Sequence, residues 1–321
     1  QPRLRRKRQT GGANATHKKD IQMRLVTYTQ NGATRIGALH GDSIVDLNAT
    51  DASLPTNMLA LLEGGDEMMA KAKAASESGS ASVSVSDVTL EAPVDTPRRI
   101  LAVGLNYMAH YLELPAHIRE SRFPKPPETP VVFNKQTTTV NGPYNGIALP
   151  PESPELDFEA ELAVVIGKTC RRVPAERASE VIAGYTVLND VTIRDWQRAA
   201  PTMTVGKSFD THCPMGPALV TPDELSNPEN LQVKCWVDGE IRQDFNTNDM
   251  IINIGKTINY LSTAFTLLPG DIIATGTSSG VALWAEGQPW LKEGQVCKVE
   301  IEEIGFIENK VEREQASTII H

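Results

Sequence analysis

Two acidic residues occupy alternate positions in the segment Asp157-Phe158-Glu159-Ala160-Glu161-Leu162-Ala163-Val164-Val165-Ile166-Gly167. As a β-strand, this segment would place Glu159 and Glu161 on one face, about 7 Å apart along the strand. The opposite face is wholly apolar and would be buried. Carboxylates this close repel each other unless a cation or a proton lies between them. The pattern fits either a cation site or an amphipathic strand with a solvated acidic face, and structural acids are common enough to leave both open.

A third acid, Asp190, lies in the segment Leu188-Asn189-Asp190-Val191-Thr192-Ile193-Arg194-Asp195-Trp196-Gln197. A set of carboxylate oxygens suits a hard cation such as Mg²⁺ or Mn²⁺. Asp190, Arg194 and Gln197 are spaced i, i+4 and i+7, so a helical segment would place all three on one face. A structural ion pair between Arg194 and an acid would explain this spacing without any bound ligand.

His110 and Glu113 are three residues apart and can meet on one helical turn. A surface histidine with a local ion pair would show the same spacing. The pair precedes the proline-rich residues 114–130, which are expected to form a mobile loop. Such a loop would suit a lid that closes over a substrate.

The composition is that of a globular protein with ample material for a core: 321 residues, 40% hydrophobic and 22% charged. No run of about 18 apolar residues occurs, so no membrane span is expected. The net charge of −9 conceals an asymmetry, because residues 1–19 hold seven Lys or Arg and no acid, which leaves 24 basic and 40 acidic residues elsewhere. So acidic a body is a poor nucleic-acid binder, but a metal and a few local cations would let it hold an anionic substrate. The four cysteines have no metal-ligand spacing and are expected to be reduced thiols.

The chain divides into four expected regions. Residues 1–20 are a basic leader expected to be disordered, and residues 315–321 are a tail. Short strand patterns and a helix over Asn57–Ala75 predict a small N-terminal α+β domain over residues 21–86, which ends in a Ser-rich linker, Ser76 to Ser86. Residues 87–314 combine many short strands with few helices, which favours a β-rich roll or barrel over a βαβ fold. The expected fold class is therefore α+β and β-rich, with a mixed β-roll or barrel catalytic domain.

The leader suggests where the protein is sent. Its arginines and lack of acids are typical of a mitochondrial transit peptide, so a mitochondrial location is expected. The run Arg5-Arg6-Lys7-Arg8 and the sequon Asn14-Ala15-Thr16 also fit a processed secretory protein, and a cytoplasmic location stays open.

Five motifs occur in an order that resembles the fumarylacetoacetate hydrolase superfamily over about residues 93–313. They are Gly104-Leu105-Asn106-Tyr107, the strand from Asp157 to Gly167, Asn189-Asp190 with Arg194-Asp195, Gly206-Lys207-Ser208-Phe209-Asp210, and Gly270-Asp271-Ile272-Ile273 with Thr275-Gly276-Thr277. The resemblance implies a β-roll catalytic domain, a homodimer, and one Mg²⁺ or Mn²⁺ with Glu159, Glu161 and Asp190 as ligands. The N-terminal module and the segment Phe209-Asp210-Thr211-His212-Cys213-Pro214 are most similar to one branch of the superfamily.

The resemblance also implies a substrate site. In it, Arg194, Gln197 and Lys207 hold the substrate carboxylates, and Thr277 adds a hydroxyl or backbone donor. Lys207 could also transfer a proton if burial and Arg194 lower its pKa. From the residues alone, a surface lysine is the commoner interpretation.

The expected function is a metal-dependent enzyme that acts on small 2-oxo acids, and the resemblance favours keto–enol tautomerisation of oxaloacetate. Hydrolysis of a C–C bond in acylpyruvates and decarboxylation of oxaloacetate are alternatives, and a non-catalytic metabolite binder is a different class. His110 and Glu113 resemble the water-activating dyad of acylpyruvase-type members, which a binder does not need. Ser278 stands where the superfamily usually has Pro, so the loop that presents Thr277 is expected to be looser.

Overall fold

The computed structural model describes residues 23–79 and 81–320, and the predicted leader lies outside them. Within these ranges the chain forms nineteen strands and seven α-helices. The strands are β1 Arg24–Gln30, β2 Ala33–His40, β3 Ser43–Asp46, β4 Ser82–Ser84, β5 Thr89–Glu91, β6 Arg99–Gly104, β7 Val131–Lys135, β8 Val140–Asn141, β9 Ile147–Leu149, β10 Leu156–Asp157, β11 Ala160–Ile166, β12 Ile182–Asn189, β13 Thr192–Ile193, β14 Cys213–Val220, β15 Gln232–Val237, β16 Glu240–Asn246, β17 Asp271–Ala274, β18 Val296–Ile301 and β19 Gly305–Arg313.

The helices are fewer and mostly short. They are α1 Leu47–Thr50, α2 Met58–Glu63, α3 Gly65–Ser78, α4 Met108–Glu113, α5 Ala116–Arg122, α6 Arg194–Ala199 and α7 Ile254–Ala264. Short 3₁₀ helices cover Val85–Asp87, Thr137–Thr139, Ala175–Val181, Pro222–Glu224 and Thr247–Asp249. The predominance of strands confirms the predicted α+β, β-rich class. None of the described helices is both long and apolar enough to cross a membrane.

One sheet of twelve strands runs through the molecule in the order β4-β3-β2-β1-β14-β12-β11-β17-β6-β7, with β5 beside β1 and β8 beside β14. The N-terminal strands are continuous with the rest because β1 pairs with β14, with Leu25 opposite Leu219. The division at residue 86 stays a prediction. The expected linker Ser76–Ser86 is wrong, because this segment completes α3 and then forms β4 and a 3₁₀ turn. The edge of β3 offers the backbone groups that β4 pairs with.

The central strand β11 is buried on both faces. The predicted alternation is confirmed: Leu162 and Val164 belong to one apolar cluster, while Ala163 and Val165 belong to another. The alternative of a solvated acidic face is wrong, since Glu161 is only 2% exposed. A second sheet, in the order β16-β15-β18-β19-β9, packs its inward residues into the first cluster.

The proline-rich segment 114–130 is not wholly a loop, because it contains α5. Two hydrogen bonds tie α5 to the end of α4: the Arg119 guanidinium donates to the Leu112 carbonyl at 3.0 Å, and the Tyr111 hydroxyl donates to the Phe123 carbonyl at 3.1 Å. The segment after His110 is therefore helical structure packed against the helix that carries the histidine.

A buried histidine makes the fold sensitive to acid. His212 is completely buried, and its Nε2 lies 2.7 Å from the carbonyl oxygen of Ala148, which can only accept a hydrogen bond. Burial lowers the pKa of His212 to about 3. Because its unfolded pKa is about 6.5, acid protonates the unfolded chain first. The stability that neutral His212 contributes is complete above about pH 6.5 and is lost progressively down to about pH 3.

We expect His212→Gln to remove this part of the acid sensitivity. Between pH 7.5 and 5, the free energy of unfolding should fall by about 2 kcal/mol more in the wild type than in the variant, because one pKa unit corresponds to about 1.36 kcal/mol. Urea denaturation at both pH values measures the difference. Equal falls in the two proteins would mean that His212 does not titrate as its burial requires.

Candidate metal centre and active site

Two neighbouring strands bring three acidic side chains together. Glu159 immediately precedes β11, Glu161 lies on it, and Asp190 immediately follows β12. The strands are antiparallel with Ala160 opposite Asn189, so the three acids come from adjacent positions at one end of the pair. One carboxylate oxygen from each lies within 4.8 Å of the others, and all three residues are buried. Their assignment as metal ligands stays a prediction, and the structure places them as that assignment requires.

Two lysines lie among these acids, although each is almost completely buried. The ammonium of Lys207 lies 2.6 Å from Glu159 Oε2 and 2.8 Å from Asp190 Oδ2. The ammonium of Lys135 lies 2.7 Å from the other oxygen of Asp190. The surface-lysine interpretation of Lys207 is therefore wrong. Lys135 was not among the predicted site residues. Strand alternation could have indicated its burial, because it lies two residues after Phe133 on the buried face of β7.

Arg194 is a third buried cation. It contacts Asp157 Oδ2 through Nε and Glu159 Oε1 through a terminal nitrogen, both at 2.7 Å. It also donates to the side-chain oxygen of Gln197 at 3.0 Å. The expected helical spacing from Asp190 is wrong, because Asp190 lies between β12 and β13 and α6 begins only at Arg194. The predicted contact of Arg194 and Gln197 with substrate stays a prediction, and the Gln197 amide remains only partly buried.

The surroundings separate the pKa values of the two strand glutamates. Burial alone would raise the pKa of Glu159, but the charges of Lys207 and Arg194 outweigh it and lower that pKa to about 2. Burial raises the pKa of Glu161 well above its ordinary value, and the charges of Asp190 and Glu159 raise it further. Glu161 Oε2 accepts a hydrogen bond from the backbone N–H of Gly276 at 2.8 Å. A bound cation would therefore stabilise the charged form of Glu161 more than that of Glu159.

The donor set fits a divalent hard cation. In the part of the chain that the structure describes, three buried cations, Lys135, Arg194 and Lys207, face Asp157, Glu159, Glu161 and Asp190, which leaves a formal charge of −1. All the acid donors are oxygens, and each carboxylate oxygen keeps a second lone pair after one hydrogen bond. Within residues 23–79 and 81–320, Glu161 Oε1 makes no hydrogen bond and remains free to bind a cation.

The pKa of Lys207 differs from the sequence-based expectation. Burial lowers it, as expected, but the adjacent carboxylates of Asp190 and Glu159 outweigh burial, and the pKa is raised. Lys207 is therefore an ammonium at neutral pH and a poor base. It remains suited to attract a substrate carboxylate, since two of its three N–H groups are used by the protein.

Thr277 lies in the loop after β17. Its hydroxyl donates to the carbonyl oxygen of Ala160 at 2.8 Å and accepts a hydrogen bond from the side-chain amide of Gln243 at 2.8 Å. A hydroxyl has a single hydrogen, so it has none left for a substrate. Of the two donors expected at this position, the backbone N–H is the available one.

The predicted histidine–glutamate contact is present on α4. His110 Nδ1 lies 2.5 Å from Glu113 Oε1, and the other oxygen of Glu113 accepts a hydrogen bond from the Gly280 N–H at 2.9 Å. The loop after β17 joins this pair to the acids, because the Gly276 N–H donates to Glu161 and the Gly280 N–H donates to Glu113. With Nδ1 directed at Glu113, Nε2 is the nitrogen that can exchange a proton with a substrate.

Comparison with known proteins points to one family. Residues 99–312 match the description Fumarylacetoacetate (FAA) hydrolase C-terminal. Oxaloacetate tautomerase fahd2, mitochondrial, from Xenopus laevis is 41% identical over 304 residues, which cover 93% of each chain. Oxaloacetate tautomerase FAHD2A, mitochondrial, from Bos taurus is 43% identical over 274 residues, 85% of each chain. The crystal structure of maleylpyruvate hydrolase from Sphingobium sp. SYK-6 with manganese(II) ion and pyruvate is similar with a TM-score of 0.74 and 31% identity, covering 91% of this chain and 100% of that one.

We expect Glu161→Gln to abolish Mn²⁺ binding and to preserve the fold. The amide keeps an acceptor for the Gly276 N–H, and a neutral group suits a position where the carboxyl pKa is raised. In the wild type the thermal midpoint should rise with Mn²⁺, since a ligand at 100 times its Kd stabilises the native state by about 2.7 kcal/mol. Equilibrium dialysis and thermal unfolding, each with and without Mn²⁺, measure both effects.

Glu155→Gln is the matched control, because Glu155 forms an ion pair with Arg198 near the surface and is outside the cluster of three acids. It should bind Mn²⁺ as the wild type does. Full Mn²⁺ occupancy in Glu161→Gln would contradict the ligand assignment.

Proposed function

Since this chain belongs to the fumarylacetoacetate hydrolase family, we propose that it is a metal-dependent enzyme for small 2-oxo acids and that its reaction is the keto–enol tautomerisation of oxaloacetate. The observation that carries the proposal is the buried cluster of Glu159, Glu161 and Asp190, which the loop 276–280 joins to the His110–Glu113 pair by hydrogen bonds. Relatives named oxaloacetate tautomerase, at 41–43% identity over most of both chains, support this choice of reaction.

The three acids would hold Mg²⁺ or Mn²⁺. When bound, such an ion withdraws electrons from a chelated 2-oxo acid and acidifies the protons on its C3. Lys207, the Gln197 amide and the Thr277 N–H supply the donors that orient the substrate carboxylates. Water is restricted because the acids and both lysines are almost completely buried.

The proton is moved by His110 in this proposal. Its Nε2 accepts the proton from the enol oxygen of the substrate, and the resulting imidazolium returns a proton to C3, so the keto form has the same atoms as the enol. Glu113 holds Nδ1 and stabilises the imidazolium. The raised pKa of Lys207 assigns it the role of a fixed positive charge in place of the proton transfer suggested by the sequence.

A second candidate is hydrolysis of a C–C bond in acylpyruvates. It is favoured by the same dyad, which could deliver a water to a carbonyl carbon, and by the similarity to a structure described as maleylpyruvate hydrolase. The two reactions share the site and differ in what is attached to C3.

Two further proposals concern location and assembly. We propose a mitochondrial location, which is supported by the two relatives named mitochondrial and by the first 19 residues, which include basic residues and no acid. We also propose a homodimer, as the resemblance to the superfamily implies. Import into isolated mitochondria and light scattering of the purified protein test these two proposals.

Turnover with identified products distinguishes the reactions. We expect enol-oxaloacetate to lose its enol absorbance faster with protein and Mg²⁺ than with Mg²⁺ alone, and to yield oxaloacetate as the product. EDTA should abolish the added rate and excess Mg²⁺ should restore it, because the metal supplies the electrophile. Release of pyruvate and CO₂ would identify a decarboxylase, and rapid cleavage of acetylpyruvate without tautomerisation would favour the hydrolase.

We expect His110→Ala to lower kcat for tautomerisation by about 10² to 10⁴, the usual cost of losing one general base. The KM should change little, because the substrate donors remain in place. Steady-state kinetics measures both, with circular dichroism as the check on folding. His117→Ala is the matched control, since His117 lies on α5 and outside the dyad. An unchanged kcat in His110→Ala would contradict the proposed base.

A further inference from the structure

Gln243 is a buried amide that the proposed chemistry does not use. It lies on β16 in the second sheet, yet it is 1% exposed and contacts the strand of the large sheet that carries Glu161. Its side-chain oxygen accepts a hydrogen bond from the Ala160 N–H at 3.0 Å. Its amide nitrogen donates to the Thr277 hydroxyl at 2.8 Å and to the Ser278 carbonyl at 3.1 Å.

These contacts close a ring of hydrogen bonds. The Ala160 N–H donates to Gln243, Gln243 donates to the Thr277 hydroxyl, and that hydroxyl donates to the carbonyl of Ala160. Both backbone groups of the residue between the two strand glutamates are thereby fixed. Hydrogen bonds that form such a network in a low-dielectric interior strengthen one another.

The loop held by Gln243 contacts both halves of the site. At its start the Gly276 N–H binds Glu161, and at its end the Gly280 N–H binds Glu113. Gly280 has a φ of 100°, and a Cβ on it would lie 2.2 Å from the carbonyl oxygen of Arg242. The end of the loop is therefore pressed against β16, next to the position from which Gln243 extends.

We propose that Gln243 is a positioning residue that fixes the end of this loop and so sets the place of the His110–Glu113 dyad relative to the three acids. Thr275 and Thr277 hold the start of the loop to β11 by their own hydrogen bonds to Leu162 and Ala160. Further along, Gln243 holds the carbonyls of Ser278 and Ser279 at 3.1 and 3.4 Å, just before Gly280. Beyond Gly280 the carboxylate of Asp157 holds the N–H groups of Ala282 and Leu283. Ser278, which has no proline ring to restrain its φ, is restrained through its carbonyl instead. The expected effect on turnover rests on the proposed function, whereas the effect on the loop does not.

Gln243→Met tests the proposal with a side chain of similar length and no polar atoms. Hydrogen exchange of the amides of residues 278–281 should become faster, while exchange of residues 158–166, and of Ala282 and Leu283 held by Asp157, should stay slow. Because displacement of a catalytic group by about 1 Å can cost about 100-fold, kcat should fall by about 10- to 100-fold. The KM and the Kd for Mn²⁺ should change little, since the substrate donors and the three acids stay in place.

Gln295→Met is the matched control. Gln295 also accepts a hydrogen bond from a backbone N–H, that of Lys292, and donates to a side chain, that of Asp238, but it lies outside the site. Exchange at residues 278–281 and kcat should both match the wild type. If Gln243→Met fails to fold, Gln243→Glu keeps the side-chain length and the acceptor for the Ala160 N–H, removes the amide donors to Thr277 and Ser278, and should give the same exchange pattern.

A double variant separates a positioning role from a general structural one. In a His110→Ala background, Gln243→Met should cause no further loss of kcat, because it acts through the dyad. The same fold-loss in both backgrounds, or unchanged exchange at residues 278–281, would overturn the proposal. A wild-type protein without tautomerase activity would contradict the proposed function alone, since hydrogen exchange and Mn²⁺ binding still test the position of the loop.

Discussion

Among the described residues, four buried carboxylates lie in one interior region with three buried cations. The ion pairs between them determine how the elements around this region are arranged. An ion removed from water costs several kcal/mol unless close partners replace its hydration. The partners come from separate elements: Lys135 from β7, Arg194 from α6 and Lys207 from the loop before β14. Each of these elements is therefore held in place by an ion pair as well as by apolar packing.

The sequence predicted the parts of the site that depend on local pattern. Alternation along β11 assigned each residue to a face, because the side-chain period of a strand is fixed. The spacing of His110 and Glu113 predicted their contact, because residues three apart meet on a helix. The same rule failed for Asp190 and Arg194, because Asp190 follows β12 and the two residues of β13 intervene before the helix begins.

Contacts between distant segments could not be predicted in this way. Lys135 meets Asp190 across 55 positions of sequence, and Gln243 meets Ala160 across 83. Gln243 has no local pattern that marks it, and the alternation that places Lys135 on the same face as Phe133 is outweighed, because a lysine in a short strand is commonly solvent-exposed. The Ser-rich segment failed for a related reason: its composition suggests a linker, but the open edge of β3 supplies a partner that converts it into β4.

The unbalanced charge also determines what the site can hold. With its own residues the cluster has a formal charge of −1, and a divalent cation changes it to +1. Acidic residues outnumber basic ones, so the net charge of the protein repels a dicarboxylate. A bound cation would make the electrostatic potential at the site positive and attract the dicarboxylate there. Binding of the metal and of an anionic substrate are then coupled, and by thermodynamic reciprocity each strengthens the other by the same factor. A fourth protein cation would bring the formal charge of the cluster to zero and weaken the binding of the divalent ion, because no net negative charge would remain to attract it.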